Sequence, residues 1–414
     1  EKFNKEIRSI KKTKLNLFKS FKSLLRNFQL RFSFRKNVKT LICNSYFEKR
    51  YLKAILKENN LIRDIFFNKI FIFNVIDLKT RKEIVEPQKN SDDFDQFLFF
   101  SMRVLLPKIY LEGFKSSIYL MESILNNFPS LENIVSEAWI TNTPSSLMLA
   151  VAKERGIIHY CNEHNSLTHP FIGSFLKLSI ELSDFFLTLG WDDINTKIIR
   201  SSSLYRFKII NNLKKTNKIL FVAGPLGRNF PIYSTCYGSC GYFTTHIINF
   251  NNNFFSEVTK SIPNSILFRN YPNYKSKQIK LLNPVYDKFI EKFNLESDTL
   301  TSSCLEEMSR SELIIIDYIS TSFIEALISN FPVIIFLTPG YMLDTRHIDF
   351  FNPLIESGII QTCPKSASDL VISVYENPIR WWKSEKIQTS RELFLKSNFG
   401  NPEIIKNFIL NLKK

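Results

Sequence analysis

Glycine is scarce in this chain, 11 residues in 414. No stretch reads G-x-G-x-x-G or G-x-x-x-x-G-K-[ST], which excludes the commonest glycine-rich phosphate cradles. Cysteine is sparse as well: Cys43, Cys161, Cys236, Cys240, Cys304 and Cys363 are scattered over the whole length. Such spacing gives no disulfide framework and points to a reducing, cytoplasmic compartment. Cys236 and Cys240 form C-x3-C with His246 further on, but no fourth ligand follows, so no metal is expected. No apolar run reaches the roughly 18 residues of a membrane span. The opening residues carry no secretory signal pattern. The chain begins with Glu1 and not Met, so a truncated N-terminus is expected.

What is abundant is Phe, at 39 residues, and positive charge, at a formal +16. The charge is uneven. Residues 1–60 hold 17 Lys and Arg against Glu1, Glu6, Glu48 and Glu58, a local 17 − 4 = +13. The remainder is close to neutral, so no nucleic-acid partner is expected for the protein as a whole. Within the basic region, Leu17, Phe18, Phe21, Leu24, Leu25 and Phe28 follow helical spacing, with Lys19, Lys22 and Arg26 between them. Three readings stay open for this basic amphipathic helix: an anionic membrane surface, packing on the core, or RNA held by a basic tail.

Further on, strand and helix patterns alternate, which means parallel α/β layering. Strands are expected at Ile134–Trp139, Gly156–Cys161 and Asp184–Leu189, then at Lys218–Ala223 and Ser265–Phe268. A polar stretch between 192 and 217 reads as a linker. The organisation expected is a basic segment at 1–60 and a first α/β domain at 61–205. A second α/β domain at 206–400 and a C-terminal helix at 401–414 complete it. Two such domains leave a cleft between them, and ligands bind at the C-terminal ends of the strands.

The most informative stretch is Ser311–Pro339. It contains an apolar strand (Leu313–Ile316), Asp317-Tyr318, the hydroxyl triplet Ser320, Thr321 and Ser322, a short helix with Glu325, and a second apolar strand (Val333–Leu337). The hydroxyls sit where a loop enters a helix. Unpaired N–H groups and the helix dipole favour an anion there. Glu325 lies one turn on, within reach of sugar hydroxyls attached to that anion. A nucleotide has the right chemistry; an ordinary N-cap at Ser320 or Thr321 is the alternative.

Other candidates end strands. Gly224, before Pro225, Gly227 and Arg228, allows close backbone approach to a ligand. Arg269 suits a phosphate through bidentate bonding, or is a surface residue. Asp317 pins its loop or touches the ligand. In the first domain, Glu163 and His164 follow a strand, with His169 nearby. A general base is one reading, with His164 deprotonating an acceptor hydroxyl and Glu163 orienting it or acting itself. A hydrogen-bonded loop is the other. Trp381 and Trp382 read as packing.

A strand, a Ser/Thr loop and a helix carrying Glu325-Ala326-Leu327, followed by Asn330-Phe331-Pro332-Val333-Ile334, resembles the donor-nucleotide signature of GT-B glycosyltransferases. In that signature the hydroxyl loop binds the donor phosphate and the Glu binds ribose, matching Ser320–Ser322 and Glu325. More closely, five stretches resemble bacterial transferases of surface-carbohydrate biosynthesis, distantly similar to Kdo transferases and CDP-glycerol glycerophosphotransferases. These are Leu106-Pro107 with Tyr110–Glu112, Glu154-Arg155-Gly156, Leu189-Gly190-Trp191, Ser309–Ser311 with Asp317-Tyr318, and Trp381–Ser384. The match runs over roughly residues 105–400. One departure stands out: Glu163-His164-Asn165 replaces an expected Gln-His-Gly.

The resemblance implies a GT-B enzyme of two Rossmann-like domains, metal-independent and without a cofactor. Its donor would be a nucleotide sugar, with CMP- and CDP-linked donors among the options. The acceptor would be a lipid-linked or growing surface glycan (capsule, O-antigen or related) at the inner face of the cytoplasmic membrane. A polyol-phosphate transferase of the CDP-glycerol type, and a non-catalytic glycan- or nucleotide-binding protein, are the alternatives.

Overall fold

The structure, a computed structural model, describes residues 37–43, 49–58, 62–65, 92–137, 143–163, 175–201, 215–224, 240–270, 283–339, 349–399 and 402–412, with a few single positions between them. Two fully parallel six-stranded sheets organise it. The first comprises β1 (Thr40–Cys43), β2 (Ile62–Ile65), β3 (Asn133–Glu137), β4 (Ile158–Asn162), β5 (Phe185–Leu187) and β6 (Ile198–Ile199), in the order β2-β1-β3-β4-β5-β6. The second comprises β7 (Thr216–Val222), β8 (Ile266–Arg269), β9 (Glu296–Ser297), β10 (Ser311–Ile316), β11 (Val333–Phe336) and β12 (Ile360–Gln361). Their order is β12-β11-β10-β7-β8-β9.

Parallel sheets are covered on both faces, so their strands read as apolar runs. Leu313, Ile314, Ile315 and Ile316 of β10 are all fully buried. The abundant Phe fills the second core. Phe221 lies 4.8 Å from Phe255 and 5.2 Å from Phe268 between ring centroids, and Phe254 lies 5.0 Å from Phe336. Trp382 is buried and its indole N–H donates to Asn330 Oδ1 at 2.7 Å, the packing role read from sequence.

Around the first sheet the strands split their side chains between two faces, as the pleat requires. Leu41, Cys43 and Ile134 meet the helices Phe114–Leu125 and Thr143–Glu154. Ile42, Val135 and Leu187 meet Ile405 and Ile409 of the helix Pro402–Asn411.

These facts revise the expected boundaries. β1 lies inside the stretch 1–60 that was expected to stand apart. It pairs with β2 on one side and β3 on the other, Thr40 opposite Asn133, so the first unit begins no later than Thr40. The C-terminal helix expected at 401–414 is no appendage: it fills one face of the first sheet. The stretch read as a linker from 192 contains β6, which pairs with β5. The amphipathic segment Leu17–Phe28 lies outside the described residues.

Candidate functional site at the switch point of the second sheet

The chain enters the second sheet at β7, runs outward through β8 and β9, then returns to the other side of β7 as β10 and continues to β11 and β12. The strand order therefore reverses between β7 and β10. Open α/β sheets bind their ligands at this switch point. Val222 of β7 pairs with Ile316 of β10, so Gly224 and Asp317 emerge side by side.

Asp317 holds the two loops together. Its Oδ1 accepts the Gly224 N–H at 2.5 Å and its Oδ2 accepts the Asn251 amide at 2.8 Å. Burial pushes this carboxyl up to about 7, against the pull of both hydrogen bonds. The Tyr286 hydroxyl donates to the Gly224 carbonyl at 2.7 Å. Both backbone groups of Gly224 are thus committed within the protein. A Cβ at Gly224 would stand 2.8 Å from Tyr318 Cγ, so glycine is required here by the Tyr318 ring. The expected ligand-approach role of Gly224 gives way to this structural one.

Beyond Asp317, the Ile319 N–H donates to the Tyr341 hydroxyl at 2.7 Å. The loop so pinned delivers Ser320 to the start of the helix Thr321–Ile328 in extended conformation. Ser320 makes no side-chain cap bond, and its buried hydroxyl has no hydrogen-bond partner. The ordinary-cap reading of Ser320 is corrected on that ground. A buried hydroxyl without a partner costs about 1–3 kcal/mol, and it faces a helix start whose N–H groups favour an anion.

Glu325 follows one turn into the helix. It is half-buried, and burial pushes its carboxyl up to about 7. Cys304, the first residue of the helix Cys304–Arg310, lies against it. Burial pushes the Cys304 thiol up to about 11, Arg269 lowers it, Glu325 raises it, and it shares a hydrogen bond with Ser322. Ser322, Glu325, Cys304 and Arg269 therefore line one flank, the side of the switch point toward β8.

Arg269 is buried and committed. Its guanidinium pairs with Asp298 and donates to the Ser302 carbonyl at 2.8 Å. Instead of presenting itself to a phosphate, Arg269 fixes the loop 298–303 beside the site. Asp298 Oδ1 accepts the Leu300 N–H at 2.9 Å, and a capping box between Ser303 and Glu306 starts the following helix.

In the first unit, Glu163 directly follows β4 and is also buried. Its Oε2 accepts the Trp191 indole N–H at 2.7 Å and the Leu189 N–H at 3.1 Å. Thr188 Oγ1 donates to the Trp191 carbonyl at 2.6 Å. The carboxylate clamps the Leu189-Gly190-Trp191 turn, which argues against Glu163 as the base. His164 and His169 lie outside the described residues. Among the described residues, no group of three or more His, Cys, Asp or Glu could hold a metal ion.

Asn251, Tyr286 and Tyr341 escaped the sequence reading because each reaches the site from a distant element. Asp298 carried a usable signal: a short polar loop before the hydroxyl unit. Thr321 sits at the first helical position, as the sequence implies.

Two doubly wound parallel sheets, with a hydroxyl loop feeding a helix at the second switch point, define a GT-B fold. Solved structures of that kind match most of the chain. The UDP-GlcNAc 2-epimerase of Methanocaldococcus jannaschii, in complex with UDP-GlcNAc and UDP, is 14% identical with a TM-score of 0.50, covering 91% of this chain and 99% of its own. A glycosyltransferase from Rickettsia africae ESF-5 is 12% identical with a TM-score of 0.50, covering 91% of this chain and 100% of its own. No curated protein matches the sequence.

The chain belongs to the LIC12162 family of transferases, whose family model matches residues 1–408. That match takes in the basic first 60 residues, which lie outside the stretch of roughly 105–400 covered by the motif resemblance. The narrower likeness to Kdo transferases and CDP-glycerol glycerophosphotransferases remains one of short motifs.

Proposed function

We propose that the protein is a glycosyltransferase that takes a nucleotide-activated sugar and builds a bacterial surface polysaccharide. The observation that carries the reading is the unpartnered Ser320 hydroxyl at an uncapped helix start, placed at the sheet's switch point. Ser320, Thr321 and Ser322 would hold the donor phosphates. Glu325 would accept hydrogen bonds from ribose hydroxyls. Arg269, Asp298 and Asp317 would keep the surrounding loops in place. The first unit would present the acceptor, with His164 as the base. Catalysis would rest on positioning both substrates and stabilising the leaving phosphate.

The two solved structures named above include one bound to a UDP-sugar, and the family is one of transferases, which together favour this donor class. A lipid-linked acceptor at an anionic membrane is supported by the basic first 60 residues. The helix Asp93–Leu105 adds to that support, since it buries no residue and exposes Phe94, Phe97, Phe100 and Leu105. Among the described residues no helix is long and apolar enough to cross a membrane.

Thermal shift against UDP-glucose, UDP-N-acetylglucosamine, GDP-mannose, a CMP-linked sugar and CDP-glycerol tests the donor class. Stabilisation by a sugar nucleotide is expected. Stabilisation by CDP-glycerol alone would replace glycosyl transfer with polyol-phosphate transfer.

A further inference from the structure

Thr338 directly follows the β11 ladder, where Leu337 N–H still bonds to Gln361 O. It is 2% exposed, and its hydroxyl has no hydrogen-bond partner. Buried hydroxyls ordinarily find partners, and removing the need for one usually stabilises a protein. Thr338 Oγ1 is not alone at this edge. Ser320 Oγ after β10 and Asn270 Oδ1 after β8 are also buried and unpartnered. Elsewhere among the described residues, Ser117, Asn251 and Ser329 belong to helices, while Asn162 Oδ1 and Ser201 Oγ are orphans at strand ends of the first sheet. Three strand ends around one switch point thus each hold an unsatisfied polar atom.

The turn containing Thr338 is joined to the hydroxyl loop. Tyr341 N–H donates to the Thr338 carbonyl at 3.0 Å, and the Tyr341 hydroxyl accepts the Ile319 N–H at 2.7 Å. Thr338 and Ser320 therefore sit on adjoining, mutually fixed segments. The two flanks of the switch point differ in chemistry. Toward β8 lie Glu325, Cys304 and the Arg269–Asp298 pair. Toward β11 lies the Thr338 turn, with Leu337 and Tyr341 buried beside it.

We propose that Thr338 is the specificity-determining residue for the transferred group, its hydroxyl hydrogen-bonding a hydroxyl of that group. The inference rests on the donor-site reading above. With phosphate at the helix start and ribose against Glu325, the nucleoside occupies the β8 flank. The group beyond the phosphates then extends to the opposite flank, where Thr338 waits unpaired. The ligand chemistry assigned is a hydroxylated moiety, a sugar or a polyol, joined to the nucleoside diphosphate. Asn270, on the nucleoside flank, serves as the internal control.

The test is calorimetric titration of wild type, Thr338→Val, Thr338→Ser and Asn270→Ala. The probes are UDP, GDP and CDP, together with UDP-N-acetylglucosamine, GDP-mannose and CDP-glycerol. Melting temperatures of the free proteins are measured alongside. Valine keeps the shape and removes the hydroxyl. Thr338→Val is expected to weaken the preferred conjugated donor about tenfold, the loss of one buried hydrogen bond, while leaving the free nucleoside diphosphate unchanged. Its melting temperature should hold or rise. Thr338→Ser should retain donor affinity, and Asn270→Ala should weaken donor and free nucleotide together. Equal weakening of both probes by Thr338→Val, or no weakening, overturns the Thr338 assignment alone. So does a lowered melting temperature with the affinity ratio unchanged. If wild type binds none of the probes, the donor-site reading fails and the Thr338 assignment with it.

Discussion

Two buried ionisable side chains set opposite pH responses. Asp317 titrates near 7 in the folded protein, raised from 3.8 by burial. Between those values the folded state holds a proton that the unfolded state has lost, so this residue lowers stability as pH rises from about 4 to 7. Replacing it with Asn removes that dependence. The Asn251 amide can turn to offer its unpaired Oδ1 to the new amide. The gain of Asp317→Asn on wild type should therefore grow with pH, from about 1.5 kcal/mol at pH 5 to about 4 kcal/mol above pH 7, read from denaturant unfolding at each pH. His159 acts in the other direction. It is buried, its Nε2 lies 2.7 Å from Ser136 Oγ, and burial lowers its ring to about 4. Below pH 6.5 the unfolded state takes up a proton that the folded state refuses. Stability should fall by on the order of 3 kcal/mol toward pH 4, and His159→Gln should flatten that slope in the same assay. At this scale the sequence was partly readable. Ser320 and Glu325 announce themselves by their place at a helix start, and Asp317 by ending an apolar strand. The commitments of Arg269, Gly224 and Glu163 were not readable, because Asp298, Tyr286, Tyr318 and Trp191 are brought to them only by folding.

Apolar strands with both faces buried were legible in β7, β10 and β11, where the run stands out from its surroundings. β1 was hidden because its four residues, Thr40–Cys43, follow a long basic stretch that dominates local composition. β9 and β12, two residues each, carry too little pattern for any period to register. The helix Pro402–Asn411 was seen as a helix but not placed, since amphipathicity shows that a face is buried and not against what. Its true seat makes a prediction. Ile405 and Ile409 are fully buried against Ile42, Val135 and Leu187. Ile409→Ala leaves a cavity under the first sheet and should cost about 3 kcal/mol in equilibrium unfolding, although residue 409 lies at the far end of the chain. A loss below about 0.5 kcal/mol would mean that the helix does not close this core.

Across the whole molecule, the proposed function divides its work between two parallel sheets. The second sheet reverses its strand order beside a rigid, Asp317-pinned pair of loops, and there the uncapped helix start and the Ser320 hydroxyl favour a phosphate. The first sheet, closed underneath by the C-terminal helix, carries Glu163 as a clamp immediately before His164. The central claim is that the donor sits on Ser320. Calorimetric titration of wild type and Ser320→Ala with the sugar nucleotide that most raises the melting temperature tests it directly. Loss of the hydroxyl should weaken donor binding about tenfold while the free protein keeps or gains stability. Identical affinities for the two proteins would contradict it.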